Sequence, residues 1–327
     1  MPARRTLRCE IEAWQLRRPF AITGYTFTQA QLLRVSLREG RAAGQGEAAG
    51  VYYLGEDAER LLADVERARD AVEGGVDREA LRSLLPPGGA RNALDCALWD
   101  LEAKRAGTTV FELTGVVPAR TETALTIGIG SPAEMAATAQ SLGGRRIKLK
   151  LDDELPVERV AAVRAVRADA EIIVDVNQGW TIEQLAEYAP RLAAFDIAMI
   201  EQPLPRGDDE ALETFDSPVP LCADESCLHL GEFEQAARRY QVINIKLDKA
   251  GGLTEGLALA RLARARGIEL MVGNMMGTSL GMAPGFVLAQ LCRYVDLDGA
   301  LFLTRDRPSA MSYDGGVVSP PTAALWG

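Results

Sequence analysis

The chain has 327 residues, of which 36 are Lys or Arg, 46 are Asp or Glu, five are Cys and one is His. This length predicts one large domain and a smaller one, and the net charge of −10 argues against nucleic acid or an anionic membrane as the main partner. Because no apolar run could span a bilayer and the N-terminus lacks the apolar core of a secretory signal, we expect a cytoplasmic protein. An odd number of cysteines without a C-x-x-C pair favours a reducing compartment and no thiolate zinc site.

The ionisable residues narrow the chemistry further. His229 is the only histidine, so a Ser-His-Asp triad or a His-ligated zinc site is disfavoured. Only five of the 36 cationic residues are lysines, and four of these fall in two short segments, RIKLKL and VINIKLDK. Unlike Arg, Lys can lose its proton when its surroundings lower its pKa, so both segments are candidates for acid/base chemistry. Lys249, at the end of the second segment, is predicted to lie at the surface or in a loop.

The first third of the chain predicts an α+β unit. The strand patterns CEIEAWQL and QLLRVSL are separated by a predicted loop, RRPFAITGYTFTQ. Gly44-Gln45-Gly46 predicts a hairpin turn rather than a dinucleotide loop, since no G-x-G-x-x-G motif is completed. Helical patterns follow at 57–73 and 90–106. We therefore predict a capping domain over residues 1–117.

From residue 118 onward, β-rich runs alternate with amphipathic helices, which is typical of a parallel α/β sheet. The predicted strands are ETALTIG, RIKLKL, EIIVDVN, IAMIEQP, VPLCADE, VINIKL, ELMVGN and a short strand around 296–303. Capping boxes beginning at Ser131 and Thr181 mark the starts of two helices. Eight such units predict an α/β fold with a (β/α)8-type barrel over residues 118–304. The Pro- and Gly-rich tail, 305–327, is predicted to pack back on the capping domain.

Polar residues recur at the ends of these predicted strands. The intervals are 22–28 residues, and the positions are Lys150, Asp175, Glu201, Asp224, Lys246, Asn274 and Asp296. In a barrel the strand ends surround one mouth, which is where this fold places its active site. Because strand residues alternate between faces, Lys148 should share a face with Lys150, and Asp296 with Asp298. We therefore expect these side chains to converge.

The residue types at these positions indicate a reaction class. Asp175, Glu201 and Asp224 lie on consecutive strands without His or Cys nearby, and such oxygen-rich sets select Mg²⁺ or Mn²⁺. Lys150 and Lys246 lie on the second and sixth strands, which are opposite in a ring of eight. Two such amines could remove a proton from one side of a substrate and return it to the other. A divalent cation nearby would lower their pKa values toward neutrality and stabilise the developing oxyanion.

Several segments carry a family resemblance over nearly the whole chain. They are ARNALDCALWDLEAK, KLKLD, IIVDVNQGW, IEQPLP, CADES, VINIKLDKAGGLTE and DLDG. Together they resemble the enolase superfamily in its muconate-lactonizing branch, and within it the dipeptide epimerases. The resemblance implies Mg²⁺ on Asp175, Glu201 and Asp224, and an acid/base pair of Lys150 and Lys246 acting through an enediolate, as is known for this superfamily. Homo-oligomeric assembly is common among its members.

The resemblance also implies residues that surround the substrate. Two carboxylates on one face suit a cation, so Asp296 and Asp298 are expected to hold a substrate ammonium group. Lys148 is expected to help bind the substrate carboxylate. Four further positions are implied, namely Thr126 and Asn274 as substrate contacts and Asn177 and Glu225 as supporting groups.

The chain departs from the family in one loop. Members that act on Ala-Glu typically carry an Arg in a loop that closes from the capping domain, and the corresponding stretch FAITGYTFTQ contains none. Tyr25, Phe27, Tyr52 and Tyr53 instead offer aromatic surface, which could equally be ordinary packing between domains. Our hypothesis is that the second residue of the substrate is uncharged.

The sequence therefore predicts an isomerase that inverts the α-carbon of the C-terminal residue of an L-Ala-Xaa dipeptide. N-acyl amino acid racemisation, dehydration and cycloisomerisation would use the same lysines and metal site, although Asp296 and Asp298 favour a substrate with an ammonium group. A Schiff-base aldolase would need one buried amine and no carboxylate trio. A barrel that only binds Mg²⁺ would have no use for two opposed amines.

Overall fold

The N-terminal strands form an antiparallel sheet in the computed structural model, which describes residues 4–327. Strands β1 (Thr6–Ile22), β2 (Tyr25–Glu39) and β3 (Ala42–Ala48) pair in chain order. The prediction of a loop over RRPFAITGYTFTQ is wrong, because these residues extend β1 and β2 into one long hairpin. The turn is confined to Thr23 and Gly24, where glycine accommodates a φ of 72°.

Four helices accompany this sheet, and the predicted helices at 57–73 and 90–106 are confirmed among them. They are α1 (Ala58–Glu73), α2 (Arg78–Leu84), α3 (Gly89–Ala106) and α4 (Val110–Thr114). Leu33 of β2, Leu61 of α1 and Leu94 of α3 are fully buried in one apolar cluster between the sheet and the helices. The capping unit therefore has a core of its own.

Gly44 and Gly46 lie inside β3, so the prediction of a hairpin turn there is wrong. The turn lies at residues 40–41 instead. Helix α3 crosses β3 so closely that a Cβ atom on Gly44 would overlap the carbonyl oxygen of Ala97. A Cβ atom on Gly46 would overlap the carbonyl oxygen of Ala93 in the same way. Glycine is needed here because the helix and the strand are in backbone contact.

The second half of the chain contains a parallel sheet of eight strands, as predicted. After the short strand β4 (Thr121–Glu122), these are β5 (Leu125–Ile127), β6 (Arg146–Lys150), β7 (Glu171–Asp175), β8 (Ile197–Glu201), β9 (Leu221–Ala223), β10 (Val242–Lys246), β11 (Glu269–Gly273) and β12 (Tyr294–Val295). They neighbour one another in chain order. The amide of Ala124 donates to the carbonyl oxygen of Val295 at 2.7 Å, which joins the first strand to the last and closes the ring.

Helices cover the outside of this ring. They are α5 (Pro132–Ser141), α6 (Pro156–Val166), α7 (Ile182–Ala193), α8 (Phe233–Arg239), α9 (Leu247–Ala250), α10 (Leu253–Arg266) and α11 (Ser279–Ala289). Both predicted capping boxes are present, at Ser131 and at Thr181. Between β8 and β9 a short 3₁₀ turn, Glu210–Glu213, takes the place of a helix.

The faces of the strands follow the predicted alternation. Ile172 and Val174 of β7 lie in the large apolar cluster that also contains residues of the surrounding helices. Ile173 points the other way and packs inside the ring with Met199 and Met271. Charged residues that share the phase of Ile173 therefore project into the ring.

The last predicted strand is misplaced. The strand is Tyr294–Val295, whereas half of the predicted range 296–303 forms a 3₁₀ turn over Gly299–Phe302. The ladder ends because the amide of Leu297 donates to the side-chain oxygen of Thr123 rather than to a strand partner. Asp296 and Asp298 therefore lie just beyond the strand end.

The C-terminal residues return to two places in the fold. Strands β13 (Tyr313–Asp314) and β14 (Val317–Val318) form a small sheet with β4. The Trp326 indole donates to the carbonyl oxygen of Cys96 in α3 at 2.9 Å, and the amide of Gly327 donates to Asp100 at 2.7 Å. These contacts join the tail to the capping unit, while domain limits at residues 117 and 304 remain a prediction.

Buried polar contacts join the capping unit to the barrel. Asp95 of α3 accepts from the amide of Thr254 at 3.0 Å, and the Arg91 guanidinium donates to the carbonyl oxygen of Ala250 at 2.6 Å. Glu47 of β3 accepts from the amide of Thr278 at 2.7 Å. Residues of both α3 and β3 thus hold the capping unit on the barrel.

Within residues 4–327, every helix is too short or too polar to cross a lipid bilayer. All five cysteines lie in this part of the chain, and each has a free thiol.

We expect Gly46→Ala to lower the free energy of unfolding by about 1–3 kcal/mol, because the added methyl group meets helix backbone that cannot rotate away. Urea titration would measure the loss. Gly130→Ala is the matched control, since its added Cβ would have no neighbour nearer than 3.5 Å. Equal stability of the two variants would contradict the proposed backbone contact.

Candidate active site

The three predicted metal ligands lie side by side at the mouth of the ring. Asp175 ends β7, Glu201 ends β8 and Asp224 follows β9, and each is fully buried. Asp175 and Glu201 are register partners on neighbouring strands. Their acidic side chains therefore converge because parallel strands with matched register end at the same level.

Lys148 lies among two of these carboxylates and a third acid, Asp296. Its Nζ atom is 2.9 Å from Asp175, 2.8 Å from Glu201 and 2.8 Å from Asp296. Burial alone would lower the pKa of Lys148, but the three carboxylates outweigh burial and hold it well above its usual range. With the Lys148 ammonium in this position, no group of three acidic, His or Cys side chains among residues 4–327 is arranged to hold a metal ion.

Lys150 and Lys246 face each other across the ring. They end β6 and β10, which are separated by three strands in either direction around the ring. The Lys150 Nζ atom lies 2.6 Å from Asp175, and the Lys246 Nζ atom lies 2.6 Å from Asp224. Burial lowers the pKa of Lys246, yet the attraction of Asp224 outweighs it and raises the pKa. The expected shift of the lysine pKa values toward neutrality requires a bound divalent cation and stays a prediction.

The prediction that Lys249 lies at the surface or in a loop is wrong, because its side chain is buried. Its ammonium donates to the carboxylate and to the carbonyl oxygen of Asp224, both at 2.6 Å, and to the carbonyl oxygen of Asn244 at 3.0 Å. The prediction failed because Lys249 follows the strand end and lies in the short helix α9, which turns back beneath the site.

Asn177 and Glu225 lie behind the carboxylates. The Asn177 side-chain oxygen accepts from Lys150 at 2.9 Å, and its side-chain NH₂ group contacts Glu225 at 3.4 Å. The amide of Asn177 donates to Asp175 at 3.0 Å. Asn177 therefore connects a predicted acid/base lysine, a predicted metal ligand and Glu225.

Two further buried residues contact the site and were missed from the sequence. Asn244 donates to Glu201 at 2.8 Å, and the side-chain oxygen of Gln202 accepts from the amide of Asp224 at 2.9 Å. Asn244 lies two residues before Lys246 and therefore shares its face of β10, so strand alternation could have identified it. Gln202 lies beyond the end of β8 with a φ of 37°, a conformation that strand periodicity does not predict.

The predicted ammonium-binding pair lies next to the first strand. Asp296 is held by Lys148 through one oxygen, while its other oxygen is buried without a hydrogen-bond donor. Asp298 accepts from the amide of Thr126 at 2.6 Å. The Asn274 side chain donates to the carbonyl oxygen of Asp296 at 2.5 Å. Thr126 and Asn274 therefore position this acidic pair.

Carboxyl groups outnumber lysines around the mouth. Six carboxylates are buried here with four lysines, namely Asp175, Glu201, Asp224, Glu225, Asp296 and Asp298 with Lys148, Lys150, Lys246 and Lys249. Burial and the neighbouring acids raise the pKa of Glu201 to about 7 and the pKa values of Glu225 and Asp298 to about 8. One oxygen each of Glu225 and Asp296 has no hydrogen-bond donor. The site can therefore accept further positive charge.

The four predicted aromatic residues form one cluster above the mouth. Ring centroids are 4.4 Å apart for Tyr25 and Phe27, 5.2 Å for Tyr25 and Tyr52, and 5.1 Å for Tyr52 and Tyr53. Tyr25 and Phe27 come from the tip of the β1–β2 hairpin, whereas Tyr52 and Tyr53 begin a 3₁₀ turn after β3. Two separate segments of the capping unit thus build one surface.

A three-stranded capping sheet over an eight-stranded parallel barrel is the enolase-like fold. Residues 4–115 match the family model of the mandelate racemase / muconate lactonizing enzyme N-terminal domain. Residues 132–324 match the enolase C-terminal domain-like model. The chain belongs to the mandelate racemase and muconate lactonizing enzyme family of the enolase superfamily.

Named relatives are similar over nearly the whole chain. The L-Ala-D/L-Glu epimerase of Escherichia coli is 42% identical over 316 residues, which cover 95% of this chain and 98% of the relative. A solved enolase family member from Agrobacterium tumefaciens with homology to dipeptide epimerases, containing sodium and L-Ala-L-Glu, is 41% identical with a TM-score of 0.95 and coverage of 99% and 100%. The dipeptide epimerase of Methylococcus capsulatus, complexed with Mg and L-Arg-D-Lys, is 30% identical with a TM-score of 0.92 and full coverage of both chains.

We expect Lys249→Met to lower the free energy of unfolding by about 3–5 kcal/mol, because it removes one partner of a fully buried ion pair. Lys104→Met is the comparison, since Lys104 pairs with Asp100 while its side chain is 27% exposed. We expect that change to cost about 1 kcal/mol or less in the same urea titration. Similar losses for both variants would show that Lys249 has no special structural role.

Proposed function

We propose that this chain is a Mg²⁺-dependent dipeptide epimerase that inverts the α-carbon of the C-terminal residue. The observation that carries the proposal is the pair Lys150 and Lys246, which lie on opposite strands of the ring with the acidic trio on the strands between them. A substrate held between two amines can lose its α-proton to one and regain a proton from the other. The names of the relatives, which are epimerases, support the same reaction class.

The chemistry of the residues present fits a divalent cation, although their side chains are arranged here around the Lys148 ammonium and not around a metal position. Asp175, Glu201 and Asp224 would hold it, and carboxylate oxygens are the ligands that Mg²⁺ prefers, with Mn²⁺ as an alternative. The Lys148 ammonium, 2.9 Å from Asp175 and 2.8 Å from Glu201, already marks a position where a cation is stabilised. Bound Mg²⁺ would offset the negative charge that develops on the substrate carboxylate.

Side chains of the protein would bind the substrate and transfer the protons. Lys148 would bind the substrate carboxylate, and Asp296, with one buried oxygen free of donors, would accept from the substrate ammonium together with Asp298. Lys150 and Lys246 would each hold or move one proton at the α-carbon. Asn177 would orient Lys150, to which its side-chain oxygen is hydrogen-bonded at 2.9 Å.

The reaction class can be tested by incubating the protein with L-Ala-Xaa dipeptides in D₂O. We expect gain of one deuterium at a single α-carbon with Mg²⁺ present, and none after chelation, as read by mass spectrometry. N-acyl amino acids serve as the comparison, since they lack the ammonium that Asp296 and Asp298 would bind. Exchange in N-acyl amino acids but not in dipeptides would make the protein a racemase of that class instead.

The two-lysine mechanism also predicts how variants that lack one of the two lysines behave. Lys150→Ala and Lys246→Ala should each lower epimerisation by at least about 100-fold, because each removes one proton carrier. Each variant should still exchange the α-proton of one epimer, and the two variants should act on opposite epimers. ¹H NMR of the L,L and L,D dipeptides in D₂O would measure this, with Lys104→Ala as a control outside the barrel mouth. Loss of exchange from both epimers in either variant would refute two-sided proton transfer.

A cytoplasmic location and homo-oligomeric assembly remain predictions from the sequence.

A further inference from the structure

The β1–β2 hairpin is attached to the mouth beside two site residues. The Thr23 hydroxyl lies 3.0 Å from the carbonyl oxygen of Leu151 and 2.9 Å from that of Val176. These two residues directly follow Lys150 and Asp175 in the sequence. The tip of the hairpin, with Tyr25 next to its turn, is therefore held over the reacting part of the site.

The aromatic cluster lies within electrostatic reach of the same residues. Burial, followed by the charge of Glu225, raises the pKa of the Tyr52 hydroxyl well above its usual range, while Lys246 opposes this shift. The ring of Phe27 packs edge-on against Tyr52 with 5.4 Å between centroids. Tyr52 and Phe27 thus connect the mouth to the hairpin.

A cavity of about 290 Å³ lies beneath the hairpin, between residues 49–58 and Met275–Met276. No Lys or Arg is among its lining residues, and its two carboxylates already have partners. Glu56 accepts from the amides of Val51 and Gly89, and Asp57 caps α1. The rest of the lining is uncharged. It consists of the polar side chains of Thr26, Thr28, Gln29 and Gln31 together with aromatic rings, thioethers and methyl groups.

The arginines around this cavity are bonded to other groups or exposed. Arg60, two residues beyond Ala58 of the lining, donates to the carbonyl oxygens of Leu54 and Gly55, and Arg34 pairs with Glu10 and Glu12. Arg206 pairs with Glu232 at 2.6 Å and donates to the carbonyl oxygen of Glu225 at 3.2 Å. Arg17 and Arg18 lie exposed on β1. A substrate carboxylate in the cavity would lose its water without gaining a cation, and it would lie near Glu56 and Asp57.

We propose that this cavity receives the side chain of the epimerised residue and selects large apolar or aromatic side chains over glutamate. The inference rests on the proposed dipeptide epimerase function and adds its substrate class. The 42% identity to an L-Ala-D/L-Glu epimerase is compatible with this inference. The identity extends over the whole fold, whereas only a few residues of the hairpin would contact the substrate side chain.

The test compares kcat/KM for L-Ala-L-Phe, L-Ala-L-Leu, L-Ala-L-Glu and L-Ala-L-Lys with Mg²⁺ present. We expect the Phe and Leu dipeptides to exceed both charged dipeptides by at least about tenfold. Glutamate or lysine as the best substrate would overturn the inference while leaving the dipeptide epimerase function standing. Failure of all four to react or exchange would instead overturn the proposed function.

A variant that adds a positively charged side chain to the cavity lining tests the proposal more directly. Phe27→Arg should raise kcat/KM for L-Ala-L-Glu and lower it for L-Ala-L-Phe, reversing their order. Ile11→Arg is the matched control, because it adds the same charge to an exposed position of the same hairpin whose register partner, Leu33, lies outside the cavity lining. If Arg206→Met abolished a preference for L-Ala-L-Glu, Arg206 rather than the aromatic cavity would determine specificity, and the proposal would be wrong.

Discussion

The charge balance at the barrel mouth is the constraint on which the rest of the site depends. Six carboxylates are withdrawn from water at the ends of neighbouring strands, where each costs several kcal/mol unless it is paired. Lys148 and Lys249 meet this need from opposite sides, one inside the ring and one beneath Asp224. Because the lysines remain fewer than the acids, the fold retains a place for further positive charge.

The same constraint explains the shape of the capping unit. The attraction between paired charges is strongest where water is excluded. The capping unit must therefore cover the mouth of the barrel without blocking it. The long hairpin does this through Thr23, and α3 holds the capping unit on the barrel through Arg91 and Asp95. Glycines at positions 44 and 46 let the backbones of α3 and β3 come into contact within this cover.

The periodicity of the apolar residues and the spacing of the predicted strands were enough to predict most of the barrel. Asp175, Glu201 and Lys246 end strands because each follows an apolar run of strand length, and the closed ring brings such ends together. The same reasoning failed where the backbone leaves regular structure. Gln202 has a positive φ, Lys249 lies in a one-turn helix, and Asp296 follows a strand of only two residues.

By itself the sequence determined the fold family, the two lysine segments and the order of the acidic residues, because these depend on periodicity and residue type along the chain. Only the tertiary structure decided which charges are paired, that the Lys148 ammonium lies among three carboxylates, and that Tyr25 and Tyr52 form one surface. Such contacts join residues far apart in the sequence, and their strength depends on burial, which no local pattern specifies.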